Sequence, residues 1–186
     1  MALPRLTLIL GTARAGRRSE AVAKYLQEIL QERSDLSVEF ADVRDYLYGH
    51  TIPPWEENPV TARWRELVAR TDAFLIVAPE YNHGYPGELK ILLDAAADSG
   101  GYHGKPVAFC GVSQGLISGA RGVEQLAGVA RDLGLVTMRA SLYVANVNSF
   151  AEKSRAERDE KYRESLDRLI AALFEHLPAF RKGSAL

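Results

Sequence analysis

Three glycine-bearing stretches hold the residues whose types and spacing can do chemistry. The first is Gly11-Thr12-Ala13-Arg14-Ala15-Gly16-Arg17-Arg18-Ser19, between a short apolar run and a helical pattern. Unpaired N–H groups and the helix dipole at such a junction attract an anion. Thr12 and Ser19 add hydroxyl donors, and Arg14, Arg17 and Arg18 add charge and forked donors. The bland alternative is a solvated basic turn, and Arg17 by itself suits ligand or solvent equally. Gly11 and Gly16 have the spacing of a nucleotide-hydrolase phosphate loop, but Arg17 and Arg18 stand where its lysine and hydroxyl residue belong. A dinucleotide fingerprint needs a middle glycine, and Ala13 and Arg14 occupy that place. A single phosphate monoester therefore fits better than a pyrophosphate.

The second stretch is Pro79-Glu80-Tyr81-Asn82-His83-Gly84-Tyr85-Pro86-Gly87. Its aromatics can lie against a flat ring, Asn82 and backbone N–H groups can meet ring edges, and Gly84 permits close approach. Tyr81 can equally be packing, and Glu80 a helix cap or surface carboxylate. His83 can stack, donate a proton or sit in solvent. The third stretch, Gly111-Val112-Ser113-Gln114-Gly115-Leu116-Ile117-Ser118-Gly119, leaves backbone free to meet the polar edge of a ring, or is simply a flexible turn.

Ser113 also falls in a Gly-x-Ser-x-Gly pattern like a hydrolase nucleophile elbow. The elbow's histidine lies further along the chain, where only His176 remains, inside an amphipathic helix. Cys110 has no metal-ligand companion at ligand spacing and reads as a buried structural thiol. His50, His83, His103 and His176 are scattered, and no metal site is expected.

The elements that position these loops follow from hydrophobic periodicity. Residues 6–10, 37–43, 73–78, 106–112 and 135–144 read as strands, mostly without polar alternation, as in a parallel sheet covered on both faces. Helical spacing marks 18–32, 60–71, about 86–97, 120–133 with Gly134 as its stop, and a last stripe from Leu166 to Leu177. Regular β–α alternation with right-handed crossovers predicts an α/β, doubly wound, flavodoxin-like sheet of five parallel strands in order 2-1-3-4-5. One domain over 1–186 is expected, with no repeat or linker. Ligands of such sheets bind beyond the carboxyl ends of the strands, where the three loops meet. Tyr46 to Trp55, broken by Gly49, Pro53 and Pro54, either walls a neighbouring subunit's site or packs within its own.

Net charge is -1 over 186 residues, so nothing favours nucleic acid or an anionic membrane as partner. The same near-neutrality disfavours an acidic carrier that docks on basic proteins. No apolar run approaches the ~20 residues of a membrane span, and the first ten residues lack the pattern of a signal peptide. With one cysteine, a cytoplasmic protein is expected.

Gly11-Thr12-Ala13-Arg14, Pro79-Glu80-Tyr81-Asn82, Pro86-Gly87-x-Leu89-Lys90-x-x-Leu93-Asp94, and Gly111 to Gly119 with Arg121, taken in order, resemble the NAD(P)H-dependent FMN reductase family. That family includes small quinone, azo-dye and chromate reductases. The resemblance covers residues 5 to about 145. It implies FMN as cofactor, with Thr12, Arg14, Arg17, Arg18 and Ser19 on the phosphate, Pro79 to Gly84 along the isoalloxazine, and Ser113, Gln114 and Gly115 at its far edge. It implies ping-pong hydride transfer from NADPH or NADH to a small acceptor such as a quinone, flavin or azo compound, with no side-chain acid or nucleophile required. It also implies a homodimer or homotetramer. A flavodoxin-type electron carrier, slow with NAD(P)H, is the alternative. Arg17-Arg18-Ser19 departs from the family's serine-aromatic-asparagine run, and Ile91, Ala95 and Ala96 depart at the subunit contact.

Overall fold

The computed structural model describes residues 3–183. The apolar runs form strands β1 (Arg5–Leu10), β2 (Ser37–Asp42), β3 (Ala73–Pro79) and β4 (Pro106–Val112), with every residue of β3 and β4 buried. Two short strands follow, β5 (Val136–Thr137) and β6 (Leu142–Val144). All pairings are parallel, in the order β2-β1-β3-β4-β5, and β6 also pairs with β4.

Because successive side chains alternate between faces, the sheet feeds two cores. On one face Leu6, Leu8, Leu10 and Val77 pack under helices α1 (Ser19–Gln31) and α6 (Arg155–Gly183), against Leu26, Leu166 and Leu173. On the other, Ile9, Ile76 and Phe109 meet α2 (Pro59–Arg70), α3 (Gly87–Asp94) and α4 (Ala120–Asp132) through Trp64, Leu92 and Leu126. Two buried polar tips on that face satisfy each other: Trp64 Nε1 donates to the Tyr102 hydroxyl at 3.0 Å, which donates to the Leu93 carbonyl at 3.2 Å. Cys110 is fully buried, and loss of solvent pushes its thiol up to about 12, so it is inert.

The single fifth strand expected over 135–144 is instead interrupted. Val107 pairs with Thr137 and Cys110 with Leu142, so three steps along β4 face five along the edge. The two extra residues bulge out and leave Arg139 and Ala140 exposed, which keeps a charge off the sheet. Gly134 does end α4, at φ 83°, with the Leu135 N–H returning to the Ala130 carbonyl at 2.9 Å. A short helix α5 (Val147–Glu152), without a clear periodic signal, follows β6. Tyr46 packs edge-on against Trp64 with centroids 5.3 Å apart, so the start of the 46–55 segment belongs to its own core, while Trp55 is exposed.

Gly119 joins the third loop to α4 at φ 86°, and a Cβ there would lie 2.5 Å from the Val112 nitrogen. Gly119→Ala is expected to destabilise the fold by about 2 kcal/mol, since both the dihedral and the backbone contact oppose it. A lowered urea midpoint at unchanged slope checks this, and an unchanged midpoint refutes it.

Candidate active site

The loops after β1, β3 and β4 meet at the carboxyl edge of the sheet around one open cleft of about 1030 Å³. Arg14, Arg17, Arg18 and Ser19 border it from the first loop, Pro79 to His83 from the second, and Ser113, Gln114 and Gly115 from the third. Leu116, Ile117, Arg121 and Val147 complete the wall. Thr12 and Gly84 do not border it.

The first loop is held from below by two arginines. Arg17 is 8% exposed; its Nη1 donates to the Thr12 carbonyl at 2.6 Å and to Asp42 Oδ1 at 2.7 Å, and its Nη2 pairs with Asp42 Oδ2. Arg44 donates to the carbonyls of Ala13 at 3.1 Å and Arg14 at 2.6 Å. Three consecutive carbonyls are thus drawn towards β2. The N–H groups of Ala15 to Arg18 find no hydrogen-bond partner among the described residues. Arg18 begins α1 without a side-chain cap. Ser19 Oγ is buried and unpartnered. An N-terminus left in this state is short of an acceptor.

Two assignments that the resemblance implied change here. Arg17 does not point its guanidinium at the cleft, because Asp42, Glu20 and the Thr12 carbonyl take its donors. Thr12 is fully buried; its hydroxyl donates to Glu88 Oε1 at 3.0 Å and shares a 2.9 Å hydrogen bond with the Tyr81 hydroxyl. Glu88 also takes the Ala13 N–H at 2.9 Å. Both residues shape the loop from behind. Arg14 and Arg18 remain exposed, and the Arg14 guanidinium lies 5.5 Å from the Tyr81 ring centre. Tyr81 thereby ties the first two loops together.

The second loop closes as a tight hairpin. Tyr81 and Gly84 exchange backbone hydrogen bonds of 2.8 and 3.0 Å, and Asn82 and His83 between them have φ of 49° and 74°. Gln125 on α4 braces the turn by donating to the His83 carbonyl at 2.9 Å. The Glu80 side chain is only 6% exposed; its Oε1 pairs with Arg121, while its buried Oε2 has no partner. In the third loop Ser113 Oγ donates to the Gly115 carbonyl at 3.0 Å, an ordinary turn contact rather than a base-activated nucleophile. Asp42, Arg44 and Glu88 were not legible as parts of the site, because they act across 25 to 75 residues of chain. Among the described residues no group of three or more His, Cys, Asp or Glu side chains is arranged to hold a metal, and no helix is long and apolar enough to cross a membrane.

A five-position parallel sheet in this order, with its cleft between the first, third and fourth strand ends, defines a flavodoxin-like fold. Residues 4–149 match the model of the NADPH-dependent FMN reductase family, and the chain belongs to that family. It is similar to a 2-hydroxy-1,4-benzoquinone reductase of a Burkholderia species, 32% identical over 81% of this chain and 88% of that one. It is also similar to a quinone reductase of Pseudomonas putida, 32% identical over 61% of this chain and 62% of that one. Among solved structures, the flavoenzyme NAD(P)H:(acceptor) oxidoreductase FerB of Paracoccus denitrificans superposes with a TM-score of 0.78 at 23% identity, covering 94% of this chain and 99% of that one, which supports the fold.

The Asp42 carboxyl is pushed upward by burial, but hydrogen bonds from Arg17 and the Arg44 N–H outweigh that and hold it below the ordinary carboxylate range. A group depressed in the folded state stabilises above its unfolded value of about 3.9, and that contribution is lost as pH falls through its folded value. Asp42→Asn is therefore expected to cost about 3 kcal/mol at pH 7, because it strands a buried guanidinium. The gap from wild type should shrink as pH falls below the carboxylate range. Urea midpoints at pH 7 and pH 3 check this, and a gap that is constant with pH refutes it.

Proposed function

We propose that this chain binds FMN in the cleft and uses it to pass electrons from NADPH or NADH to a small acceptor, a quinone or a similar flat molecule, by a ping-pong sequence. The observation that carries this reading is the matched set of unmet polar groups on one wall. The Ala15 to Arg18 N–H groups and Ser19 Oγ lack an acceptor, and Glu80 Oε2 lacks a donor. A phosphate monoester supplies the first, and a ring or ribityl N–H or O–H supplies the second.

In this reading Arg14, Arg18 and Ser19 hold the phosphate, with α1 contributing the positive end of its dipole. Pro79 to Asn82 lie along the ring, His83 borders the space left for the acceptor, and Ser113, Gln114 and Gly115 meet the ring's polar edge. Thr12, Arg17 and Glu88 position the loop. When bound, the flavin supplies the hydride chemistry, accepting two electrons from the nicotinamide and releasing them to the acceptor. The side chains bind, orient and exclude water. At about 1030 Å³ the cleft has room for a second flat molecule beside the cofactor. That space favours a reductase over a flavodoxin-type carrier, as does a net charge of -1. The exposed Leu116 and Ile117 at the rim suit a contact between subunits, in a homodimer or homotetramer.

Purified protein is expected to be yellow or to turn so with FMN, to release FMN rather than FAD on denaturation, and to oxidise NADPH or NADH when a benzoquinone is present. Initial rates at varied donor and quinone should give parallel double-reciprocal lines. Failure to oxidise either nucleotide removes the proposal, and intersecting lines remove the ping-pong sequence.

A further inference from the structure

We propose that His83 is the proton donor to a quinone bound in this cleft, an inference that rests on the reading of the site as a quinone-reducing one. Two independent observations lead to it. The first is conformational. His83 sits at φ 74° as the second central residue of a two-residue hairpin whose first, Asn82, has φ 49°. Turns of this kind take Asn-Gly, and a non-glycine residue in the left-handed region costs about 1 kcal/mol. Asn82 and His83 are both residue types that enter the region more often than most, yet each still pays for it relative to glycine. The backbone here would be better served by glycine. Nothing inside the protein uses the ring in return: among the described residues the imidazole makes no hydrogen bond, ion pair or ring contact, and only the His83 carbonyl is engaged, by Gln125. The side chain is exposed and borders the cleft. Strain of this sort at a cleft points to a task for the side chain.

The second observation is chemical, and proceeds by elimination. Reduction of a quinone to a hydroquinone takes two electrons and two protons. A hydride equivalent from the nicotinamide, relayed through the site, carries both electrons and one proton to one oxygen. The other oxygen must take a proton from an acid. The titratable groups that face the cleft are Arg14, Arg17 and Arg18 from the first loop, Glu80, Tyr81 and His83 from the second, and Arg121 from α4; the third loop brings none. The arginines do not release protons near neutral pH. Glu80 is engaged by Arg121 through Oε1. The Tyr81 hydroxyl is engaged with Thr12. Of the remaining groups, His83 alone leaves its side-chain nitrogens without a partner among the described residues, and imidazole is the side chain most often used as a positioned acid. In the step, the imidazolium N–H bond breaks, an O–H bond forms on the hydroquinone, and the exposed ring regains its proton from water.

The test uses His83→Gly and His83→Asn, both compatible with the turn, in the FMN-loaded protein. The oxidative half-reaction is measured alone, by mixing reduced protein with a benzoquinone or with ferricyanide, which takes single electrons and no proton. Both variants are expected to keep FMN affinity within about twofold, and His83→Gly to melt at a higher temperature. Quinone reduction should fall by 10²-fold or more, the usual worth of a positioned acid, while ferricyanide reduction stays unchanged. The pH profile of the wild-type quinone rate should differ from that of both variants. In NMR of the oxidised holoprotein, the His83 ring signals, assigned by their loss in His83→Asn, should shift on titration with the hydroquinone. Unchanged quinone rates in both variants overturn the inference, as do parallel losses with ferricyanide or weakened FMN binding. Absence of NAD(P)H oxidation by the wild type itself would instead overturn the function on which the inference rests.

Discussion

The ion pair between Arg17 and Asp42 is the constraint on which the site depends. Asp42 closes β2 directly beside Leu10 at the end of β1, so it lies beneath the first loop by strand register alone. Arg17 reaches back over it and binds the Thr12 carbonyl on the way. With the Arg17 side chain 4% exposed and that of Asp42 17%, the pair is largely out of water, where removing one member is far worse than never having had it. Asp42 also accepts the Arg44 N–H, and Arg44 in turn takes the next two carbonyls of the loop. One carboxylate thus holds the Arg17 guanidinium and the backbone of Arg44, and the two arginine side chains fix the direction of three peptide units. A loop oriented this way has its acceptors satisfied and its donors unspent.

Helix α2 is capped by Asn58 and α5 by Asn146. Helices α1, α3 and α4 have no side-chain cap, and the N-termini of α1 and α4 lie at the cleft. An uncapped N-terminus ordinarily costs about 1 kcal/mol relative to a capped one. At the cleft that loss is offset only when something from outside provides the acceptor. The buried Ser19 Oγ adds to the same deficit, and Glu80 Oε2 presents the complementary one, an acceptor without a donor. Binding energy for a phosphorylated ring is therefore built into the free protein as unmet hydrogen bonding rather than as new contacts formed afterwards.

Much of this was legible in the sequence because it is local. Apolar runs gave the strands, and glycine and proline marked the loops. Cys110 was readable as buried from its neighbours alone. The rest required pairing across the sheet. Arg14, Arg17 and Arg18 look alike in sequence, and only the end of β2 decides that Arg17 turns inward while the other two stay exposed. Glu88 gave no signal because its partners, Thr12 and Ala13, are 76 and 75 residues away. The interruption of the last strand depends on how two extra residues are absorbed against β4, which hydrophobicity cannot specify. The strain at His83 was equally invisible, because Asn-His-Gly does not reveal which two residues carry the positive φ.

The hairpin and the phosphate loop are not independent sites. Tyr81 begins the hairpin, lies near the Arg14 guanidinium, and shares a hydrogen bond with Thr12, whose hydroxyl is tied to Glu88 at the start of α3. Glu88 lies seven residues beyond Tyr81, past the hairpin and Pro86, so the second loop is anchored to the first at both ends. Gln125 fixes its tip to α4. In the proposed reading, a ring along the second loop and a phosphate at the first would be kept at one separation by this bracing. A cleft whose two halves are cross-braced in this way selects for a ligand with a flat ring and a phosphate at a set distance. It also leaves the outer side of the hairpin, where His83 stands, free to meet whatever lies against the ring.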